Sequence, residues 1–317
     1  MTSPHTSRTS LEIASQPGVW TRAATSAALY TDFLPRRGER VAVVGCGTSW
    51  FMALAYARLR ECGGHGETDA FAASEFPDGR AYDRILALTR SGTTTEVLDL
   101  LAKAEGTVPT IALTADPSTP VMDTADEVVV LDYADEESVV QTRFATTALV
   151  LLRAHLEAEH ALAAGVRPLT RAIEDAVRAL GVELDAEVSS AEQFTFLGTG
   201  WTYGLALEAG LKMREAAGAW TEAYPAMEYR HGPISVTGPG RVVWTFGPAP
   251  RGLADDVARV GGLFAAASGD GADDLDPLAD LIVAQRLAVR LAEARGYDPD
   301  RPRNLTRSVV LKGSRAS

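Results

Sequence analysis

VVGCGTSWFMALAYARLRE at residues 43–61 and FLGTGWTYGLALEAGLKMRE at residues 196–215 carry one pattern twice. Each copy is a short apolar run, then Gly-x-Gly, then a small hydroxyl residue, then an amphipathic helical stretch ending in Arg-Glu. Gly45, Gly47 and Ser49 fall opposite Gly198, Gly200 and Thr202. An internal repeat with copies about 150 residues apart predicts two similar α/β domains in one chain. Ligands of open α/β sheets sit beyond the carboxyl ends of the strands, so the two Gly-x-Gly loops are the first places to look.

Outward from the first copy, residues 40–45, 67–73, 84–89, 107–114 and 127–132 predict strands, with helices over 50–61 and 94–104. Continuous apolar strands alternating with helices indicate a parallel sheet covered on both faces. Residues 1–9 are expected to be disordered, and 10–32 have helical periodicity that Pro17 should break or restart. A long helical connection over 138–183 is divided at Gly165-Val166-Arg167-Pro168. The second copy adds strands near 194–198 and 241–246 and helices over roughly 202–218, 252–263 and 280–295. The tail at 296–311 has the Asp, Pro and Arg spacing of an ordered segment that returns to the body. The expected domains are therefore an N-terminal segment and helix (1–32), a first α/β domain (33–165) and a second with the tail (166–317).

The 317 residues suffice for two domains, and 46% apolar residues fit a globular protein. A net charge of −12 disfavours nucleic acid as a partner, though a local pocket can still oppose the global sign and take an anionic substrate. Cys46 and Cys62 are the two cysteines, so no disulfide framework or Cys-rich metal site is expected. There is no signal-peptide pattern and no apolar stretch of membrane-spanning length, and a soluble cytoplasmic protein is the simple expectation. No metal and no cofactor is expected.

Four constellations could carry chemistry. In Gly45-Cys46-Gly47-Thr48-Ser49 the glycines allow a tight turn, and the following helix offers free N–H groups to an anion. An ordinary strand-to-helix turn capped by Ser49 explains the same residues. Neither copy completes a G-x-G-x-x-G dinucleotide fingerprint, because Trp50 and Tyr203 stand at its third glycine. The second is Thr89-Arg90-Ser91-Gly92-Thr93-Thr94-Thr95-Glu96, with five hydroxyl residues in seven positions, one Arg, and no acid before Glu96. That density exceeds what helix capping needs and suits a phosphate monoester. Third, Glu208, Lys212 and Glu215 share one helix face, either as a surface ion-pair ladder or as a site following the second Gly-x-Gly loop. Fourth, His231 lies in a Gly-Pro turn after Glu222, Glu228 and Arg230, either as an exposed loop histidine or as a proton carrier. His155 and His160 do not share a helix face and read as surface residues; His5 and His65 fall in loops.

Together these segments resemble the sugar isomerase (SIS) family, in particular the two-SIS-domain isomerase half of glucosamine-6-phosphate synthase and the aldose–ketose isomerase and deaminase branch. The resemblance runs from about residue 10 to 311. It is carried by Glu12-Ile13 with Gln16-Pro17, CGTS (46–49), ASEF (73–76), the loop 89–95, LExGLKxxE within 207–215, EAY with HGP (222–233) and PRNLxRSV (302–309). It implies two flavodoxin-like three-layer SIS domains, each a parallel sheet flanked by helices. It places Ser49, Thr89, Arg90, Ser91 and Thr94 around a sugar 6-phosphate, with Cys46, Gly47 and Thr48 in the same loop. It places Val139 and Gln141 along the sugar, and counts Glu208, Lys212 and Arg307 among the substrate-binding residues. Glu215 would move a proton between C1 and C2, and His231 would assist ring opening, donated in this family from the other subunit. A homodimer with a shared site is thereby implied.

Three departures from the synthase matter. No glutaminase segment precedes the repeat, so glutamine-dependent synthesis is not expected. Arg307 stands where the synthase has the lysine that attacks the ketose carbonyl, and arginine cannot act as an amine nucleophile. The chain has three lysines, Lys103, Lys212 and Lys312. Arg90 replaces a glutamine and should strengthen anion binding. The expectation is an enzyme acting on glucosamine 6-phosphate or N-acetylglucosamine 6-phosphate by C2-proton abstraction, ending in dehydration, deamination or isomerisation. A plain aldose–ketose isomerase and a non-catalytic sugar-phosphate sensor are the alternatives.

Overall fold

The computed structural model describes residues 6–311. His5, Lys312 and the first five residues lie outside that range. The described residues pack as two compact units: one comprises residues 18–136, 143–166 and 306–311, the other residues 6–17, 137–142 and 167–305.

Helix α1 (Arg8–Ser26) begins inside the stretch expected to be disordered and runs through Pro17 without a break. Proline has no N–H for the carbonyl of Ile13 four residues earlier. The Gln16 side chain supplies a substitute: its Nε2 donates to Ile13 O at 3.2 Å and to Gln285 Oε1 at 2.7 Å.

In the first unit, β1 (Val41–Gly45), β2 (Thr68–Ala72), β3 (Arg84–Leu88), β4 (Thr110–Thr114) and β5 (Glu127–Val130) form an all-parallel sheet. The order is β2-β1-β3-β4-β5. Ala42, Val44, Ile85, Ala87 and Ala112 pack on Val97, Leu100 and Leu101 of α3 (Thr95–Ala104) and on Val121 of the single-turn α4 (Val121–Thr124). The opposite face is also buried, and α2 (Thr48–Cys62) packs on β1, β2 and α5 (Arg143–Ala158). Burial of both faces is why these strands read as continuous apolar runs.

In the second unit, β6 (Gln193–Gly198), β7 (Trp220–Pro225), β8 (Arg241–Phe246) and β9 (Leu263–Ala265) are again parallel, in the order β7-β6-β8-β9. Its helices are α6 (Leu169–Gly181), the single turn α7 (Ala186–Ser189), α8 (Thr202–Ala217), α9 (Leu253–Arg259) and α10 (Pro277–Ala294). β7 and β9 escape the apolar pattern because they are edge strands whose residues are half-buried or exposed. The helix expected over 252–263 stops at Arg259, and Gly261 turns the chain at φ +81° into β9.

The two copies of the repeat have the same geometry. A Cβ on Gly45 would lie 2.7 Å from the Ser49 carbonyl carbon, and one on Gly198 would lie 2.3 Å from Thr202 O. Gly47 and Gly200 both hold positive φ, +54° and +59°. Close backbone approach at the first glycine and left-handed backbone at the second account for the motif before any ligand is considered. Gly198→Ala should destabilise the protein by about 2 kcal/mol or more, since backbone must move. Urea denaturation checks this; a loss within about 0.5 kcal/mol would contradict the close approach.

His155 corrects the surface expectation, whereas His160 is exposed. His155 is buried on α5 with its ring centroid 5.5 Å from that of His65, which is fully buried after α2. Neither ring nitrogen of His65 has a hydrogen-bond partner. Burial, then the charges of Arg60 and His155, push the His65 imidazole down to about 4. An unfolded chain takes up this proton near pH 6.5, whereas the folded chain refuses it until about pH 4. The contribution is therefore complete above pH 6.5 and is lost as pH falls from 6.5 to 4, by about 2–3 kcal/mol. His65→Phe should lose correspondingly less stability than the parent between pH 7.5 and 4.5; equal losses would contradict this.

Candidate active site

β1 and β3 are neighbours in the first sheet, and the chain leaves β1 towards β2 on one side and β3 towards β4 on the other. That is a topological switch point, where open α/β sheets bind ligands. The loops 45–48 and 89–94 both leave the carboxyl ends of these strands and lead into α2 and α3. Gly92 holds φ +62°, and a Cβ there would sit 2.1 Å from Thr119 Oγ1, so the second loop needs glycine.

The hydroxyls of these loops are largely unspent. Thr89 is buried and its Oγ1 has no partner. Ser91 Oγ accepts from Thr93 N at 3.3 Å and lies 3.0 Å from Thr93 Oγ1, whose single proton it shares with Ser308 Oγ. Thr48 and Ser49 are buried at the first turn of α2. Burial and the nearby Glu96 carboxylate push the Cys46 thiol up to about 11, so it stays neutral in this loop.

Arg90 is buried and committed. Its Nη1 lies 3.5 Å from Glu136 Oε2, and its Nη2 donates to Arg307 O at 3.3 Å. Arg307 in turn pairs with Asp135 and donates to Glu136 O. The tail then follows the loop: Thr93 Oγ1 donates to Ser308 Oγ at 2.9 Å, Thr95 N to Val309 O at 3.2 Å, and Leu311 N to Thr95 Oγ1 at 2.9 Å. The acidic pair Asp135-Glu136 was not among the residues singled out from sequence, and nothing in its local pattern marks it.

In the second unit, Lys212 is buried and bonds Glu215, with Glu208 Oε1 3.6 Å from its Nζ. Three charged residues on one helix face are thus an internal cluster rather than a surface ladder. Glu208 and Lys212 are 1% exposed, while the Glu215 side chain keeps 19%. Glu215 lines a cleft of about 710 Å³ together with Arg214, Tyr297, Asp298, Arg301 and Arg303. His231 ends a short 3-10 turn (Glu228–His231), is exposed, and its ring makes no hydrogen bond. Arg230 beside it is tied to Asp256 at 2.8 Å.

Val139 and Gln141 lie in the short segment 137–142 of the same unit. Glu12 anchors that segment by accepting from Glu137 N at 2.6 Å and from Ser138 N at 3.2 Å. Asp300 O accepts from Val139 N at 3.1 Å, while the Asp300 carboxylate caps α1 through Arg8 N at 3.0 Å and Thr9 N at 2.8 Å. The opening Glu12 and Asp300 of the tail therefore hold one element. Gln141 Nε2 is buried without a partner.

No family profile matches the chain. It is 30% identical to glutamine–fructose-6-phosphate aminotransferase (isomerizing) of Gloeobacter violaceus, over 92% of this chain and 54% of that protein. With the same enzyme of Methanothermobacter thermautotrophicus the identity is 31%, over 86% and 52%. The chain spans about half the length of these curated relatives. Among solved structures, glucosamine-6-phosphate deaminase of Thermotoga maritima aligns with a TM-score of 0.81 and 25% identity, over 96% of this chain and 100% of that one. The C-terminal domain of glucosamine-fructose-6-phosphate aminotransferase from Francisella tularensis aligns at 0.78, with 20% identity over 94% and 99%. Its homologues are thus the isomerase (SIS) domain of glutamine–fructose-6-phosphate aminotransferase, and its structural neighbours are phosphosugar isomerases and glucosamine-6-phosphate deaminase. Among the described residues no helix is long and apolar enough to cross a membrane.

Proposed function

We propose that this protein deaminates an amino-sugar 6-phosphate through abstraction of the C2 proton. The observation that carries the proposal is the Glu208–Lys212–Glu215 cluster, which fixes one carboxylate at the wall of a cleft while burying the lysine that holds it. The phosphate is taken by Ser49, Thr89, Ser91 and Thr94 with the first turns of α2 and α3. Arg90 acts through Glu136 and the tail carbonyl, which set the shape of that loop. His231 assists ring opening, and the resulting aldehyde at C1 acidifies the C2 proton. Glu215 removes that proton, exchanges it with solvent, and delivers a proton to C1. The product is a ketimine at C2, which takes up water and releases ammonia to leave the ketose phosphate. An N-acetylated substrate releases its nitrogen poorly, and its enol would instead expel the C3 hydroxyl as water.

Synthesis through a lysine Schiff base is not favoured. Arg307 is held by Asp135 and the Glu136 carbonyl, and Lys212 is bound to Glu215. The similarity to glucosamine-6-phosphate deaminase supports the same direction. The test is a mass-spectrometric screen of the purified protein against glucosamine, N-acetylglucosamine, galactosamine and fructose 6-phosphates. Ammonia and a ketose phosphate from an amino sugar are expected. Loss of water alone would move the assignment to dehydration, and interconversion of neutral sugars alone to plain isomerisation. Tight binding with every sugar unchanged would overturn catalysis and favour a sensor.

A further inference from the structure

We propose that the cleft beside Glu215 receives a second anionic group of the substrate, a carboxylate carried at the end of the sugar remote from its 6-phosphate; this rests on Glu215 being the C2 base. Arg214, Arg301 and Arg303 line the cleft, against the two carboxylates Glu215 and Asp298. The Glu215 carboxylate is already taken by Lys212. None of the three guanidiniums forms an ion pair. Arg214 Nη1 donates to Thr221 Oγ1 at 2.8 Å, and Arg303 lies over the Tyr297 ring at 4.3 Å from its centroid. Other arginines are ion-paired, Arg84 with Glu39 at 3.0 Å, Arg178 with Asp175 at 2.8 Å and Arg230 with Asp256 at 2.8 Å, while Arg37, Arg286 and Arg295 bond backbone carbonyls. In a chain of net charge −12, a locally positive cleft is a specific departure.

A base that takes the C2 proton stands next to the substituents on C1, C2 and C3, so a group borne there enters the cleft that Glu215 lines. A volume of about 710 Å³ exceeds what an unsubstituted hexose fills and lies in the range that holds drug-sized ligands. Arginine forks bind planar carboxylates through two parallel hydrogen bonds, and stacking on Tyr297 pre-sets the plane of one fork.

The test compares two 2-acylamino-2-deoxyglucose 6-phosphates of equal size, one N-succinyl with a free carboxylate and the other its terminal amide. Calorimetric titration of the full chain at low salt should show the carboxylate binding about tenfold tighter, as one charge-assisted pair contributes. That advantage should shrink with added salt, collapse towards one in the Arg301→Gln/Arg303→Gln double variant, and persist in Arg58→Gln, an exposed arginine of the first unit. Equal binding of the two sugars by the parent, or an advantage unchanged in the double variant, overturns the second-anion site while leaving the phosphosugar reading intact. Failure of both sugars and of glucosamine 6-phosphate to bind overturns both together.

Discussion

Glu215→Gln should lower turnover of the preferred amino-sugar phosphate about 10²–10⁴-fold, the contribution of a positioned general base. Glutamine keeps the shape and the hydrogen-bonding carbonyl but cannot take a proton. Lys212 would still find an acceptor at this position and would keep Glu208 nearby, so the cluster should remain folded. Binding of the sugar phosphate should change by less than about threefold, because the charge lost is already paired with Lys212. Steady-state kinetics and calorimetry on the same preparation separate the two quantities. Retained turnover would remove Glu215 from the mechanism. Loss of binding in proportion to rate would make it a binding residue.

The second large effect is expected at the phosphate loop. Ser91→Asp places a carboxylate where the phosphate monoester should sit. Two like charges about 4 Å apart repel by about 4 kcal/mol at a partly buried site, so affinity should fall at least about 100-fold. Ser91→Ala removes one donor and should cost about tenfold. Ser91 is buried, so Ser91→Ala should cost about 1 kcal/mol of urea stability and Ser91→Asp more, and binding is compared under conditions where urea curves show each variant folded. Unchanged binding in Ser91→Asp would take the phosphate away from this loop.

Much of the fold was legible because both faces of the first sheet are buried, which writes strands such as 41–45 and 110–114 as unbroken apolar runs. The glycines of the repeat were legible because backbone geometry demands them in both copies. β7 and β9 were not, because these edge strands are half-exposed and lack an apolar run such as Val128-Val129-Val130 of the edge strand β5. Pro17 misled because a side-chain amide can replace a missing backbone donor, and only the neighbouring Gln16 and Gln285 reveal that. His155 misled because its helix is covered on more sides than its charged neighbours suggest.

At the site, hydroxyl density marked the loop 89–95 and helical spacing marked Glu208, Lys212 and Glu215. Their burial could not be read from spacing, since a surface ladder has the same period. The acidic pair that holds Arg90 and Arg307 comes from residues 135 and 136, remote in sequence from both arginines. Pairings of that kind arise only when the chain folds. They also make the replacement of the family lysine intelligible: Arg307 ties the tail to the loop that its own carbonyl helps to shape.

The most direct test of the central claim is turnover of glucosamine 6-phosphate in D₂O with the product read by NMR. Proton transfer through Glu215 predicts one deuterium at C1 of the ketose phosphate, stereospecifically placed, and none in the product-free sugar at the same site. A ketose formed with no deuterium and with the C2 proton fully retained at C1 on every turnover would point to hydride migration and contradict a base that exchanges with solvent. A sugar recovered unchanged at carbon, with saturable binding, would contradict C2-proton chemistry altogether.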